Sequence, residues 1–204
     1  MAAVHNSRSL TLFARPDCLQ AHRVRLVLAE KGVAGYKIVE VRDENEDLAA
    51  VNPYNTLPTL ADRELVLYDP RAIIEYLDER YPHPPLMPID PVQRAQYRMA
   101  IYRFELDLYK PSLSMGGAPS TVRKARALMR DALVRLAGSL TSRPTLGDEY
   151  SLLDCTLAPV LWRMDYYRLR LPERQNSALR EYAEHLFQRE AFAASLSAFE
   201  ASMR

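Results

Sequence analysis

Cys18 is the residue whose type and position most readily suggest chemistry. It lies where a helix is expected to begin, four residues before His22. A thiol at a helix N-terminus has a lowered pKa and a higher reactivity, because the helix dipole favours the thiolate. Asp17 acts in the opposite direction, since a neighbouring negative charge disfavours the thiolate. Cys18 is therefore either a reactive thiol or an inert, partly buried cysteine.

His83 is the second candidate, because it lies among four prolines in the segment 80–88 (RYPHPPLMP). Proline has a fixed φ and no N–H, so this segment can join neither a helix interior nor a sheet ladder. It should be stiff and extended, with carbonyl groups free to face outward. Such a segment can be a linker between domains, a preformed docking surface for another protein, or both.

His83 has three chemical interpretations. A metal site would need further ligands, and the other histidines (His5, His22 and His185) are not grouped with it. A catalytic base would need an orienting carboxylate and a nucleophile, and the sequence identifies neither. An exposed aromatic donor between prolines suits a protein contact, because rigid residues lose little entropy on binding. We therefore predict no catalytic residue, no metal site and no cofactor.

Composition limits the class of protein. The 204 residues are 48% hydrophobic and 26% charged, which is typical of a soluble globular chain with one large or two small domains. The net charge of +1 provides no global basic field, so any DNA contact should be secondary. Two distant cysteines make no disulfide framework and indicate a reducing compartment. With no apolar run that resembles a signal peptide or a membrane span, we expect a cytoplasmic protein.

The first 80 residues predict alternating strands and helices. We expect the N-cap of the first helix at Asp17, its stop at Gly32, and the start of a later helix at Asp69-Pro70. The predicted strands are 9–13, 36–41, 59–61 and 65–67, and the predicted helices are 17–31, 43–51 and 70–81. This order predicts parallel crossovers followed by an antiparallel hairpin.

The rest of the chain predicts helices only. A helix should begin at Asp90-Pro91 and weaken at Lys110-Pro111. Amphipathic spacing over 122–140 and a capping box at 151–154, with Asp154 in its last position, predict two more helices. Shorter helices should fill 176–188 and 190–201. We predict an α/β domain over 1–82, a proline-rich linker over 83–91 and an all-α domain over 92–204.

These motifs resemble the cytosolic glutathione S-transferase superfamily. The matching stretches are 22–32 (HRVRLVLAEKG), Asn52-Pro53 followed by 57–60 (LPTL), and 151–154 (SLLD). The resemblance implies a thioredoxin-like N-terminal domain followed by an all-helical C-terminal domain, a homodimer, and a cis peptide bond before Pro58.

A closer resemblance is to the stringent starvation protein A family. It is carried by 62–65 (DREL), 75–80 (EYLDER), 82–88 (PHPPLMP) and 157–163 (LAPVLWR). The resemblance implies a regulator of transcription under starvation and acid stress that binds RNA polymerase holoenzyme or its sigma factor. It places the partner-binding patch on Pro82, His83 and Pro84.

Enzymatic activity of the superfamily would need two features. One is a hydroxyl or thiol after the first strand. The loop 14–17 has no Ser or Tyr, but Cys18, which follows it, resembles the cysteine of omega-like members. The other is an acidic residue followed by serine that binds glutathione, which here reads Asp69-Pro70 and lacks the hydroxyl and the N–H. Arg71 could compensate. We predict no transferase activity, and the alternative is a glutathione-dependent transferase or thiol transferase that uses Cys18.

Two further groups have a structural and a functional interpretation. The aromatic residues of the helix after Asp90 are expected in the core, with a hydrophobic substrate pocket as the alternative. The basic run at 123–130 is expected on a solvated helix face, with a phosphate site as the alternative.

Overall fold

A computed structural model of the protein describes residues 10–41, 46–138, 140, 145–147 and 149–204. The chain forms two compact units. The first extends to Pro84 and also includes Ala194–Ser202 and Arg204, whereas the second comprises Pro85–Ala193 and Met203. The segment 194–202 is thus grouped with the first unit, and the domain boundaries 1–82, 83–91 and 92–204 stay a prediction.

The first unit contains a four-stranded mixed sheet. Its elements are β1 (Thr11–Ala14), α1 (Leu19–Glu30), β2 (Lys37–Glu40), α2 (Glu46–Val51), β3 (Thr59–Asp62), β4 (Leu65–Leu67) and α3 (Pro70–Arg80). The strand order is β2-β1-β3-β4, with β1 and β2 parallel and both other pairs antiparallel. The predicted order of strands and helices is confirmed, while Ser9 and Asp43, where two elements were predicted to begin, lie outside the described residues. Of the predicted parallel crossovers only β1-α1-β2 is one, because β3 runs antiparallel to β1.

Local signals explain most boundaries in this unit. Gly32, with φ at +61°, follows the end of α1 as predicted, since glycine adopts this conformation without steric cost. The Asp69 carboxylate accepts the backbone N–H of Arg71 at 2.8 Å, and Pro70 is the first residue of α3. The Asp17 prediction was wrong, because the N-cap of α1 is Cys18.

The second unit is helical. Its elements are α4 (Pro91–Phe104), a π-helical turn (Glu105–Tyr109), α5 (Lys110–Ser112), α6 (Pro119–Ala137), α7 (Leu152–Trp162), α8 (Glu173–Phe187) and most of α9 (Glu190–Ser195). The π-helical turn ends two residues before Pro111, which has no N–H for the helical ladder, so the helix is distorted close to where it was predicted to weaken. The predicted helix 190–201 is divided into α9 and α10 (Ala198–Ala201), and α10 belongs to the first unit.

The buried helix α7 forms the centre of the second unit. The capping box predicted at its start is confirmed: the Asp154 carboxylate accepts the Ser151 N–H at 2.9 Å. Asp154 also accepts the Tyr182 hydroxyl at 2.5 Å and the Leu146 N–H at 3.0 Å. Burial nevertheless raises the pKa of this carboxyl. A carboxylate shared by three segments thus holds the start of α7 in place.

Candidate partner-binding site

The Pro-His-Pro segment follows the end of α3 directly. The Tyr81 N–H makes the last helical bond, to the Leu77 carbonyl at 3.0 Å. Pro82, His83 and Pro84 are all exposed, and the peptide bond between His83 and Pro84 is cis. Three consecutive side chains, two of them rigid rings, are therefore accessible to another molecule.

Buried groups hold the C-terminal end of this segment and the chain just after it. In the first unit, the Lys31 ammonium donates to the Pro84 carbonyl and forms an ion pair with Asp78, with 2.5 Å between nitrogen and oxygen. In the second unit, Leu86 is buried and its carbonyl accepts the Leu152 N–H at 2.8 Å. The exposed residues thus lie between a helix end and fixed carbonyls.

Polar and aromatic side chains fix the end of α3 beside the segment. The Tyr76 hydroxyl donates to the Asp62 carboxylate at 2.6 Å, and Arg80 lies 3.7 Å from the same carboxylate. The Arg80 guanidinium also lies 5.6 Å from the centre of the Tyr81 ring, a cation–π contact. Burial and the neighbouring Asp62 raise the pKa of Tyr76, which keeps this hydroxyl protonated as a donor.

Cys18 does not have the electrostatics of an activated thiol. Burial raises the pKa of its thiol, and this effect outweighs the backbone N–H groups of Ala21 and Gln20 and the charge of Arg25, which act in the opposite direction. Of the two interpretations of Cys18, the raised pKa therefore favours the inert, partly buried cysteine over the reactive thiol. The charge of Asp17 also raises the pKa of Cys18, as expected from the sequence, and the Asp17 carboxylate lies 3.0 Å from the Arg15 side chain.

The Asp69 carboxylate already accepts hydrogen bonds from its own helix. Besides the backbone bonds of α3, the Asp69 carboxylate accepts the Arg71 guanidinium at 2.9 and 3.2 Å. Burial raises the pKa of Asp69, but the hydrogen bonds from Arg71 and from the Ala72 N–H outweigh it and set the pKa below its usual range. Arg71, the residue that could compensate for the missing serine, is thus paired with Asp69 within one turn.

The predicted cis bond before Pro58 is confirmed. The buried Asn52 side chain supports this turn, because it donates to the hydroxyl of Thr59 at 2.9 Å and to that of Thr56 at 3.1 Å. Asn52-Pro53 therefore has a structural role in holding the approach to β3.

His22 belongs to a buried polar network rather than to Cys18. Its Nε2 lies 3.1 Å from the Ser195 hydroxyl, and its Nδ1 lies 3.5 Å from the Glu200 carboxylate. Arg25 donates to the Ser195 carbonyl at 2.8 Å and to Glu200 at 2.5 Å. The contacts span 170 positions or more, and only the capping box that begins at Ser197 was a readable signal for them.

The described ranges contain no candidate metal site and no candidate membrane span. Among those residues, no group of three or more His, Cys, Asp or Glu side chains is placed to hold a metal ion. No helix within the part of the chain that the structure describes is long and apolar enough to cross a bilayer.

Comparison with known proteins matches both halves of the chain to glutathione S-transferase domains. Residues 12–85 match the N-terminal domain family and residues 119–185 match the C-terminal domain family. The chain is similar to the stringent starvation protein A homologs of Coxiella burnetii (40% identity, 96% of this chain and 95% of the relative) and Pasteurella multocida (42%, 96% and 94%). The crystal structure of glutathione transferase Omega 3C from Trametes versicolor is similar in fold, with a TM-score of 0.78 and 24% identity over 95% of this chain and 91% of that chain.

Proposed function

This chain belongs to the stringent starvation protein A family, within the glutathione S-transferase superfamily, and we propose that it regulates transcription by binding RNA polymerase holoenzyme. The contact is made by Pro82, His83 and Pro84, against the polymerase or its sigma factor. The regulator acts under starvation and acid stress, in the cytoplasm.

The observation that supports this proposal is the exposure of all three residues on a segment that follows a helix end directly and is fixed at its C-terminal residue. Pro84 and Leu86 have their carbonyls bonded to Lys31 and Leu152, while the ring of His83 stays accessible. A surface that is already ordered loses little conformational entropy when a partner binds. The mechanism is thus adhesive and steric: a rigid patch attaches to the polymerase and alters promoter choice.

We propose that the chain has no transferase activity. The raised pKa of Cys18 leaves the protonated thiol in excess at neutral pH, which disfavours thiol transfer. The Asp69 carboxylate is bonded to Arg71 and to its own helix, and Pro70 offers no hydroxyl. Glutathione would therefore find a weakened binding site.

We propose a homodimer in which α4 contributes to the interface. Of its residues, only Ile101 is buried, whereas Val92, Met99 and Tyr102 are 64%, 59% and 42% exposed. Exposed apolar side chains on one helix suit a contact with a second copy. A two-fold pair presents the Pro-His-Pro segment twice. With a net charge of +1, DNA contact is secondary to protein contact.

The test is direct binding of purified protein to RNA polymerase holoenzyme and to core polymerase, measured by biolayer interferometry. The variant Pro82→Ala/His83→Ala/Pro84→Ala should bind at least about 10-fold more weakly, because it removes the rigid anchors. His185→Ala, which removes an exposed histidine outside the segment, is the matched control. Loss of binding when sigma factor is omitted would locate the contact there.

Two results would contradict the proposal. One is wild-type affinity in a folded triple variant, which would exclude the Pro-His-Pro segment as the binding site. The other is glutathione-dependent turnover that Cys18→Ser abolishes, which would identify the chain as an enzyme.

A further inference from the structure

We infer that Lys31 is a positioning residue for the polymerase contact: its ammonium fixes the Pro84 carbonyl, and Asp78 keeps that ammonium in place. The inference rests on the function proposed above. It adds to the binding site a residue 53 positions away in sequence, which touches no partner itself.

Lys31 is buried at the end of α1. Its side chain is 0% exposed and that of Asp78, on α3, is 7% exposed, so the ion pair is shielded from water. The same Nζ atom donates to the Pro84 carbonyl. One ammonium therefore joins α1, α3 and the exposed segment.

The chemistry of the segment explains why a side-chain donor is needed. Pro82, Pro84 and Pro85 have no N–H, so within 82–85 only His83 has a backbone donor. The segment can be fixed to the protein mainly through its carbonyls. A lysine has three donors, enough for a carboxylate and a carbonyl together.

The burial of this ion pair is itself informative. An apolar pair of similar volume is often as stabilising as a buried ion pair, because both charges lose their hydration. Stability alone thus gives little reason for Lys31 and Asp78. The bond to Pro84 is a reason that an apolar pair could not satisfy.

The consequence concerns His83. Its position is set by the fixed φ of Pro82 and Pro84 and by the Pro84 carbonyl that Lys31 holds. Without Lys31, the segment would sample more conformations in the free protein. Binding would then require ordering, which lowers affinity without the loss of any direct contact.

The experiment uses Lys31→Met/Asp78→Leu, which removes both charges together, with Lys37→Met, an exposed lysine of the same unit, as the control. We expect the double variant to fold with a melting temperature close to wild type and to bind polymerase holoenzyme about 5- to 10-fold more weakly. In the free variant, the imidazole NMR signals of His83 should broaden or multiply. A purely structural role of the pair would leave them unchanged.

The inference is overturned if the folded double variant keeps wild-type affinity and an unchanged His83 signal. If that variant does not fold, Lys31→Met/Asp78→Asn, which also lacks the donor at position 31, is measured in the same way, and wild-type behaviour again overturns the inference. If the proposed function itself is wrong, the variant Pro82→Ala/His83→Ala/Pro84→Ala would bind polymerase like wild type, which distinguishes that failure from a failure of the Lys31 inference. The His83 signal of the free protein still tests the role of Lys31 in that case.

Discussion

Glu200→Ala should be among the most destabilising single substitutions in the first unit. The Glu200 carboxylate is 0% exposed and accepts from Arg25 at 2.5 Å and from the Ser197 N–H at 2.8 Å. His22 Nδ1 lies 3.5 Å away. Ser197 in turn donates its hydroxyl to the Pro16 carbonyl at 2.7 Å, so this carboxylate holds the segment 194–202 onto the start and body of α1.

The expected size follows from the burial of Arg25, whose side chain is 6% exposed. Removal of one partner from a buried ion pair leaves an uncompensated charge and costs about 3–5 kcal/mol of unfolding free energy. The capping box of α10 is lost as well, although this effect is only about 1 kcal/mol. For a chain of this length, the melting temperature should fall by about 10 °C.

Urea unfolding followed by far-UV circular dichroism measures this change. Asp165→Ala is the matched control, because it breaks an ion pair with Arg180 at 3.1 Å whose side chains are 63% and 50% exposed. That loss should stay below about 1 kcal/mol. Arg25→Met/Glu200→Leu should recover most of the stability, since neither charge is left alone.

Two results would refute this reasoning. A loss below about 1 kcal/mol for Glu200→Ala would mean that Arg25 finds water or another partner at no cost. If Arg25→Met/Glu200→Leu were no more stable than Glu200→Ala, the lost stability would come from packing and not from the unpaired charge.

Three further predictions concern single sites. Asp69→Ala should cost about 1 kcal/mol at pH 7 in urea unfolding. The pKa of Asp69 is lowered in the folded protein, so the charge-dependent part of this stabilisation is fully present above the ordinary carboxyl pKa of about 3.9. It is lost as the pH falls through the lowered pKa of the folded state. A destabilisation by Asp69→Ala that does not change with pH would contradict this assignment. Iodoacetamide should alkylate Cys18 at pH 7.5 more slowly than a free thiol, because the pKa of Cys18 is raised. The variant Cys18→Ser measures the background labelling of Cys155, and labelling faster than that of a free thiol would contradict the raised pKa. Gly147→Ala should cost less than about 1 kcal/mol in urea unfolding, because the added Cβ would meet only the outer end of the Tyr97 side chain, which can turn aside; a loss above about 2 kcal/mol would contradict this.

The sequence predicted the features that depend on neighbouring residues. Asp69-Pro70 and Ser151 to Asp154 cap their helices as predicted, because a cap needs only a side chain and the N–H groups two or three residues later. The order of strands and helices followed from hydrophobic periodicity in the same way. Asp17 was the exception, since its carboxylate pairs with Arg15 and the cap position falls on Cys18.

The properties of individual side chains were harder to predict. The pKa of Cys18 depends on how much of the folded protein surrounds the thiol, and a helix N-terminus read from sequence gives only the opposing effect. The compensation that Arg71 could have provided is decided by a rotamer that brings it to Asp69. Neither the burial nor the rotamer has a sequence signature.

By itself, the sequence predicted the order of strands and helices, because periodicity and caps are local, and the family through the resemblance of its motifs. The stiffness of the Pro-His-Pro segment is predicted from proline geometry in the same local way. Only the tertiary structure shows which side chains bind the Pro-His-Pro segment and the segment 194–202. Lys31 reaches Pro84 across 53 residues, and Arg25 reaches Glu200 across 175. Such pairs form only where packing removes charged side chains from water and leaves one partner within reach, which no spacing along the chain specifies.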